Sequence, residues 1–312
     1  MENLIEVREL EKCYAHFKAL NGISFEVREG EILCFLGPNG AGKSTMIHIL
    51  STILQCDGGN ILFKGKDVKK HARYVKRNLG IVPQDLAIYE EVSAEKNVAF
   101  FAALYGLKGR ELQQSVDEAL QFVGLLDKKN EKPKTFSGGM KRRLNIACAI
   151  AHKPKVIIMD EPTVGIDPQS RNHILQSIQQ LREQGSTIIY TTHYMEEVEE
   201  ISTRIIIMDH GEIIAEGTKE ELKKHIADEN RYFIECEHIT TGVEERFFKI
   251  EGMKEVTVKD GVIEVVVLKG VENLDKIITL LVNEGMKVKN IMSESASLET
   301  VFLQLTGRKL RD

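Results

Sequence analysis

The stretch "GPNGAGKST", Gly37 to Thr45, carries the densest chemistry in the chain. It satisfies the GxxxxGK[ST] pattern and directly follows the apolar run "EILCFL". Glycines at this spacing let successive N–H groups curl around phosphate oxygens, Lys43 can reach β- and γ-phosphates, and the Ser44 hydroxyl can ligate Mg²⁺. Gly37, Pro38, Asn39, Gly40, Ala41, Gly42, Lys43, Ser44 and Thr45 are therefore the expected phosphate-binding residues. Downstream, "VIIMDEP" places Asp160 at the end of an apolar run, where it can hold Mg²⁺ through water, and Glu161 beside it can act on an attacking water. A second turn, in "KTFSGGMKRRL", bares backbone N–H groups where a helix begins, and such a place attracts anions. One phosphate loop already serves one nucleotide. The second anion-seeking turn needs its own explanation.

The elements that must position these residues are legible from periodicity. Ile5 and Val7, then Ile23, Phe25 and Val27, alternate as strands do. Between residues 93 and 126 the spacing becomes helical, with Leu112, Val116, Leu120 and Val123 on one stripe. Short apolar runs follow, "KVIIMDEP" and "STIIYTTH", separated by a helix that Asp167 would cap, Pro168 would open and Gly185 would end. Buried strands alternating with helices predict a largely parallel α/β sheet, with the helical stretch inserted into it. "RIIIMDHGEIIAEGT" reads as a hairpin, and the charged "KEELKKHIADEN" marks a boundary. Beyond it, "RYFIECE" and "EVTVKDGVIEVVVL" predict strands, the latter folded at Asp260-Gly261. Leu274, Ile277, Ile278 and Leu281 predict a helix ending at Gly285. "MKVKNIM" predicts a strand, and Leu298, Val301, Phe302 and Leu305 a last helix ending at Gly307.

The bulk numbers agree with this division. A chain of 312 residues exceeds the size at which one core keeps growing, so a large and a smaller domain are expected. A net charge of -5 gives no reason to expect nucleic acid as a partner, and the basic "KKHARYVKR" reads as a solvated helix face. The five cysteines form no CxxC pair, which argues against zinc and for a reducing compartment. No apolar run approaches the ~18–20 residues of a membrane span, and "MENLIEVREL" has no signal-peptide core. A cytoplasmic chain is expected, whose work at a membrane needs a separate partner.

Over roughly residues 1 to 225 the motifs, in their order, resemble the ATPase subunit of an ATP-binding cassette (ABC) transporter. The resemblance implies a P-loop NTPase core with an N-terminal antiparallel β-subdomain and a helical subdomain over about 90–152; residues 226–312 remain as an accessory α+β domain. It assigns Tyr14 to stacking on adenine, Gln84 in "VPQD" to Mg²⁺ and to the link with a permease, and His193 in "TTHY" to the γ-phosphate. Glu161 becomes the general base, with Lys43 and His193 beside it. Ser137, Gly138 and Gly139 stand at the signature position and Asp167 in the D-loop, where they are expected to meet ATP held by a second subunit. The implied ligands are ATP and Mg²⁺. The implied partners are an integral-membrane permease and a second cassette, identical or homologous, in an ATP-dependent dimer. That explains the second turn: it serves the partner's nucleotide.

Two departures stand out. Phe136 and Met140 replace the family's Leu and Gln around the signature, and "VGID" replaces "SALD". Both resemble the branch exporting drugs, ions, lipids or peptides, as does the closing "SLETVFLQLTGRKLRD". Export on the cytoplasmic face of a membrane is the expectation. An importer ATPase with a ferredoxin-like regulatory domain, or a nucleotide-gated module without transport, are the alternatives. Leu86, Ile88 and Tyr89 are the residues expected to receive a permease helix.

Overall fold

The computed structural model describes residues 3–226, 229–240, 242–259, 261–268, 271, 273–294 and 297–307. The chain divides into two units between Lys219 and Glu220.

The first unit opens on two long antiparallel strands, β1 (Asn3–Tyr14) and β2 (Phe17–Arg28), which bury Ile5, Val7, Ile23, Phe25 and Val27 on one face. β3 (Ile32–Leu36), buried along its whole length, leads through the glycine-rich loop into α1 (Lys43–Leu50). β4 (Gly58–Phe63) and β5 (Lys66–Asp67) complete an antiparallel sheet of order β2-β1-β4-β5. In α2 (Ala72–Arg77) only Val75 is buried, so the basic cluster faces water.

β6 (Leu79–Val82) then enters a second sheet. The chain leaves it for a helical layer of α3 (Ala94–Leu104), α4 (Gly109–Phe122) and α5 (Gly138–Ile150). Ser93 caps α3 by accepting from the Lys96 N–H. α4 turns Val116 and Leu120 inward, as its periodicity requires. β7 (Val156–Asp160), α6 (Pro168–Glu183), β8 (Thr187–Thr192), α7 (Met195–Ile201), β9 (Arg204–Asp209) and β10 (Glu212–Gly217) return the chain to the sheet. Its order is β10-β9-β3-β8-β7-β6, parallel except for the edge pair β9–β10. β7, β8 and β9 are buried at every position, the mark of a parallel sheet covered on both faces. Each wholly buried Ile, Val or Leu there contributes about 1.5–3 kcal/mol relative to exposure. One core joins the two sheets of this unit, with the Phe25 and Phe35 rings edge to face at 5.1 Å.

The second unit takes up the chain from within α8 (Lys219–Ile226). It contains β11 (Glu229–Cys236), α9 (Val243–Phe247), β12 (Met253–Lys259), β13 (Val262–Leu268), α10 (Leu274–Asn283), β14 (Val288–Glu294) and α11 (Leu298–Thr306). The sheet is antiparallel, of order β12-β13-β11-β14, over a core that includes Ile234, Phe247, Ile263, Val265, Ile277 and Leu281. The helical stripe is narrower than periodicity predicts. Leu274 and Ile278 are 37% and 38% exposed while Ile277 and Leu281 are buried, because one flank of the stripe alone is covered. Leu305 is likewise exposed on α11. Asp260, of the expected hairpin turn, lies outside the described residues, as does the end of the chain from residue 308. Among the described residues no helix is long and apolar enough to cross a membrane.

Candidate functional site

Three strands of the parallel sheet end side by side. Leu36 of β3 is in register with Thr192 of β8, and Asp160 of β7 with Thr191 of β8. The loop from Gly37, the Asp160–Glu161 pair and His193 therefore share the carboxyl edge of the sheet, where ligands of open α/β folds bind.

Backbone geometry makes the loop. Gly42 has φ 101° and caps α1, and a Cβ there would sit 2.6 Å from the Ala19 carbonyl oxygen. At Gly37 a Cβ would sit 2.3 Å from the Met208 carbonyl oxygen, so neither position accepts a side chain. Lys43 bends back beneath the loop: its Nζ donates to the Gly37 and Pro38 carbonyls at 2.7 and 3.0 Å. It is 4% exposed. Burial pushes its ammonium below the usual lysine range, opposed by the Glu161 and Asp160 carboxylates. Glu161 Oε1 lies 3.7 Å from Lys43 Nζ.

Glu161 is the meeting point of the site. Its Oε2 is 3.4 Å from both Gln84 Nε2 and His193 Nδ1. It adopts φ 44°, a left-handed conformation unusual for glutamate, held by its N–H donating to the Thr191 carbonyl and hydroxyl. Asp160 Oδ1 accepts from the Thr191 hydroxyl at 2.6 Å and from the Ser44 hydroxyl at 3.4 Å. A hydroxyl and a buried carboxylate facing one another form a hard-oxygen set that suits Mg²⁺, which binds through few protein oxygens plus phosphates and water. With the Gln84 amide nitrogen turned to Glu161, its amide oxygen is the remaining acceptor for such an ion.

The cleft above these groups has a volume of about 200 Å³ and is lined by Tyr14, Phe17, Ala19, Asn39 to Thr45, Gln84 and Glu161. Tyr14 and Phe17 are paired at the end of the β1–β2 hairpin and are 46% and 55% exposed, two aromatic rings beside the phosphate loop, with the Lys12 ammonium 5.8 Å from the Tyr14 ring centroid. A larger cavity of about 590 Å³ opens beside Ile150, Lys155, Ser186 and Leu181, at the opposite ends of β7 and β8 from this chemistry.

Ser137, Gly138 and Gly139 line no part of the Lys43 cleft. Ser137 caps α5, accepting from the Met140 N–H at 3.2 Å, and is exposed together with Gly138. Gly139 is buried against the start of α6: a Cβ there would meet Ser170 Oγ at 2.1 Å. Asp167, exposed, caps α6 through the Ser170 N–H at 2.9 Å, a bond that pulls its carboxyl below the usual carboxylate range. The structure thus assembles the sequence-predicted residues into two groups. Tyr14, the phosphate loop, Gln84, Asp160, Glu161 and His193 form one; Ser137, Gly138, Gly139 and Asp167 form the other, in which Ser137, Gly138 and Asp167 are turned to solvent and Gly139 is buried.

Sequence reasoning missed several residues. Phe17 carries a weak signal, sharing the alternation of Ile23, Phe25 and Val27 at the first position of β2. Thr191 had none beyond lying in an apolar run. Arg142 reads as a surface residue of a basic run, yet it is 4% exposed and donates to the Pro83 and Gln84 carbonyls at 2.8 and 2.6 Å, tying α5 to the Gln84 loop.

Comparison with known proteins identifies the family. The ABC transporter family model matches residues 20–164, and the model of the ATP-binding protein DrrA1-3-like C-terminal domain matches residues 217–306. The linearmycin resistance ATP-binding protein LnrL of Bacillus subtilis is 41% identical over 317 residues, covering 99% of this chain and 100% of that one. The Nod factor export ATP-binding protein I of Burkholderia thailandensis is 34% identical over 308 residues, covering 99% and 98%. Among solved structures, a dimeric ATP-binding cassette in a post-hydrolysis state with ADP and Pi superposes with a TM-score of 0.63 at 26% identity, covering 69% of this chain and 98% of that one. A phosphate loop with a buried lysine, an Asp–Glu pair at a strand end and full-length relatives lead to one conclusion: the chain belongs to the ATP-binding subunits of ABC transporters, in the branch with the DrrA-like C-terminal domain, and its activity is ATP hydrolysis coupled to transport.

Proposed function

We propose that two copies of this cassette, or one copy and a homologue, close around two Mg²⁺-ATP molecules and drive an export permease. Lys43 and the loop N–H groups would hold the β- and γ-phosphates, and Tyr14, with Phe17 beside it, would stack on adenine. Ser44 and Asp160 would hold Mg²⁺, with the Gln84 amide oxygen next to them; the ion neutralises phosphate charge. Glu161 would take the proton of the attacking water, and His193 would face the γ-phosphate. Ser137, Gly138 and Asp167 would complete the partner's site.

The observation that carries this reading is the solvent-facing signature. Ser137 and Gly138 present a helix N-terminus outward, away from the cleft that their own chain's Lys43 lines. An anion-binding helix start with no nucleotide of its own fits one supplied by another subunit. Residues 226–312 would be an accessory domain. Leu86, Tyr89, Phe100 and Leu104 are exposed, with the Tyr89 and Phe100 rings at 5.4 Å, and this apolar face would receive the permease at the cytoplasmic side of the membrane. Ile88, also expected there, is half-buried. Export follows the relatives' names, one for resistance and one for export.

Analytical ultracentrifugation with Mg²⁺-ATP tests the reading. Glu161→Gln is expected to sediment as a dimer with ATP, while the parent chain returns to monomer as it hydrolyses. A Glu161→Gln variant that turns over ATP at the parental rate would remove Glu161 from the role of base.

A further inference from the structure

Glu197 is a buried ionisable group that the nucleotide site leaves unused. It lies in the first turn of α7 with its side chain 1% exposed. Oε1 accepts from the Thr163 hydroxyl at 2.6 Å; Oε2 accepts from the Tyr190 and Thr192 hydroxyls, each at 2.8 Å. Arg171 Nε, from α6, lies 3.6 Å from Oε1 without a hydrogen bond, and its guanidinium sits 4.9 Å from the Tyr194 ring centroid. A carboxylate taken out of water is costly unless every lone pair is matched, and an apolar side chain would fill the same space without that cost. The charge has a local consequence instead. One of its donors, Thr192, precedes His193 in the chain, and Tyr194, whose N–H bonds that threonine, follows it.

His193 has no comparable anchorage. Its Nδ1 has no hydrogen-bond partner, and its contacts are the Glu161 carboxylate at 3.4 Å and the Tyr194 ring at 4.2 Å. The direction of its imidazole is therefore set by the backbone that carries it. We propose that Glu197 is the positioning residue of His193, fixing the backbone before and after it through the Thr192 hydroxyl and the Tyr194 N–H. Proton directions make the device specific. The Tyr194 N–H donates to Thr192 Oγ1 at 3.0 Å, and the Thr192 hydroxyl sends its own proton to Glu197, since a carboxylate has none to give. An ionised carboxylate accepts from all three hydroxyls at once; a carboxamide of the same shape presents N–H to at least one of them and reverses that bond. The inference rests on the reading of His193 as the group that faces the γ-phosphate.

A double-mutant cycle of Glu197→Gln with His193→Ala tests it, read as kcat and KM of the full chain. With His193 present, Glu197→Gln is expected to lower kcat about tenfold or more while KM for ATP stays within about twofold. In the His193→Ala background the same change is expected to alter the residual kcat by less than about twofold. Equal losses in the two backgrounds would show a general packing role and overturn the proposal, as would an unchanged kcat with His193 present. Tyr190→Phe removes one donor and keeps the carboxylate; it should give a smaller loss that also disappears without His193, and it serves the cycle where Glu197→Gln does not fold. The parent and His193→Ala are compared first. If they turn over alike, the role given to His193 fails, and the proposal with it; if they differ and the cycle is additive, the proposal alone fails.

Discussion

Lys43 shows how this site holds a charge that burial opposes. Its ammonium is almost wholly out of water, satisfied by two carbonyls of its own loop and drawn by a carboxylate 3.7 Å away. A γ-phosphate would offer a stronger, charge-assisted partner than the loop carbonyls. Lys43→Ala is therefore expected to weaken ATP binding at least about tenfold in a fluorescent-nucleotide titration, the loss from one buried charge-assisted bond. Affinity equal to the parent's would mean that the lysine does not reach the phosphates. Glu161→Gln, which keeps shape and loses basicity, should leave that affinity in place while turnover falls about 10²–10⁴-fold. The left-handed φ of Glu161 belongs to the same account: its two bonds to Thr191 hold a strained backbone that turns the carboxylate between Lys43, Gln84 and His193.

At the scale of elements, the informative contact is between two helix starts. Gly139 at the N-terminus of α5 leaves no room for a Cβ against Ser170 of α6, and Asp167 caps that second helix. The signature turn and the Asp167 loop are consequently one surface rather than two. Gly139→Ala is expected to wedge α5 from α6, costing about 1–3 kcal/mol in unfolding free energy and depressing turnover. The double variant Gly139→Ala with Ser170→Gly should recover most of both, since it removes the side chain that the methyl meets. Recovery of stability without turnover would mean that Ser170 has a role in the reaction itself. Full activity in the single variant would show that the close approach is dispensable.

At the scale of the molecule, acid stability of the first unit follows from His152. Its ring stacks on Tyr105 at 3.5 Å and its Nε2 bonds the Leu79 carbonyl at 3.0 Å, so it joins the turn after α3, the end of α5 and β6. Burial pushes its pKa down to about 4. The unfolded chain takes up that proton below about 6.5, whereas the folded chain resists it until about 4. The group is neutral in both states above about 6.5, so stability is lost only as pH falls from there towards 4, by an amount on the order of 3 kcal/mol. Urea unfolding at pH 7 and pH 5 should show about 2 kcal/mol of this loss in the parent and less in His152→Gln. Equal pH dependence in the two would place the proton elsewhere.

The sequence by itself determined the glycine-rich turn from β3 into α1, the acids that close β7 and the helices between β6 and β7, because these rest on local rules. Glycine spacing, a strand ending in acids and a change of period from two to 3.6 are written along the chain. What only the tertiary structure decided is which residues separated in sequence share one space. Thr191 gives no signal in an apolar run, yet register places it on Asp160. Arg142 and Glu197 sit in charged stretches that give no local signal of burial, yet packing buries both and turns one onto the Gln84 loop and the other onto the Thr192 hydroxyl beside His193. The width of the α10 stripe was likewise set by the sheet it covers, which leaves Leu274 and Ile278 outside. A side chain's type limits the bonds it can make. Which bonds it makes depends on strand order and helix packing, and these are long-range properties that no local window contains.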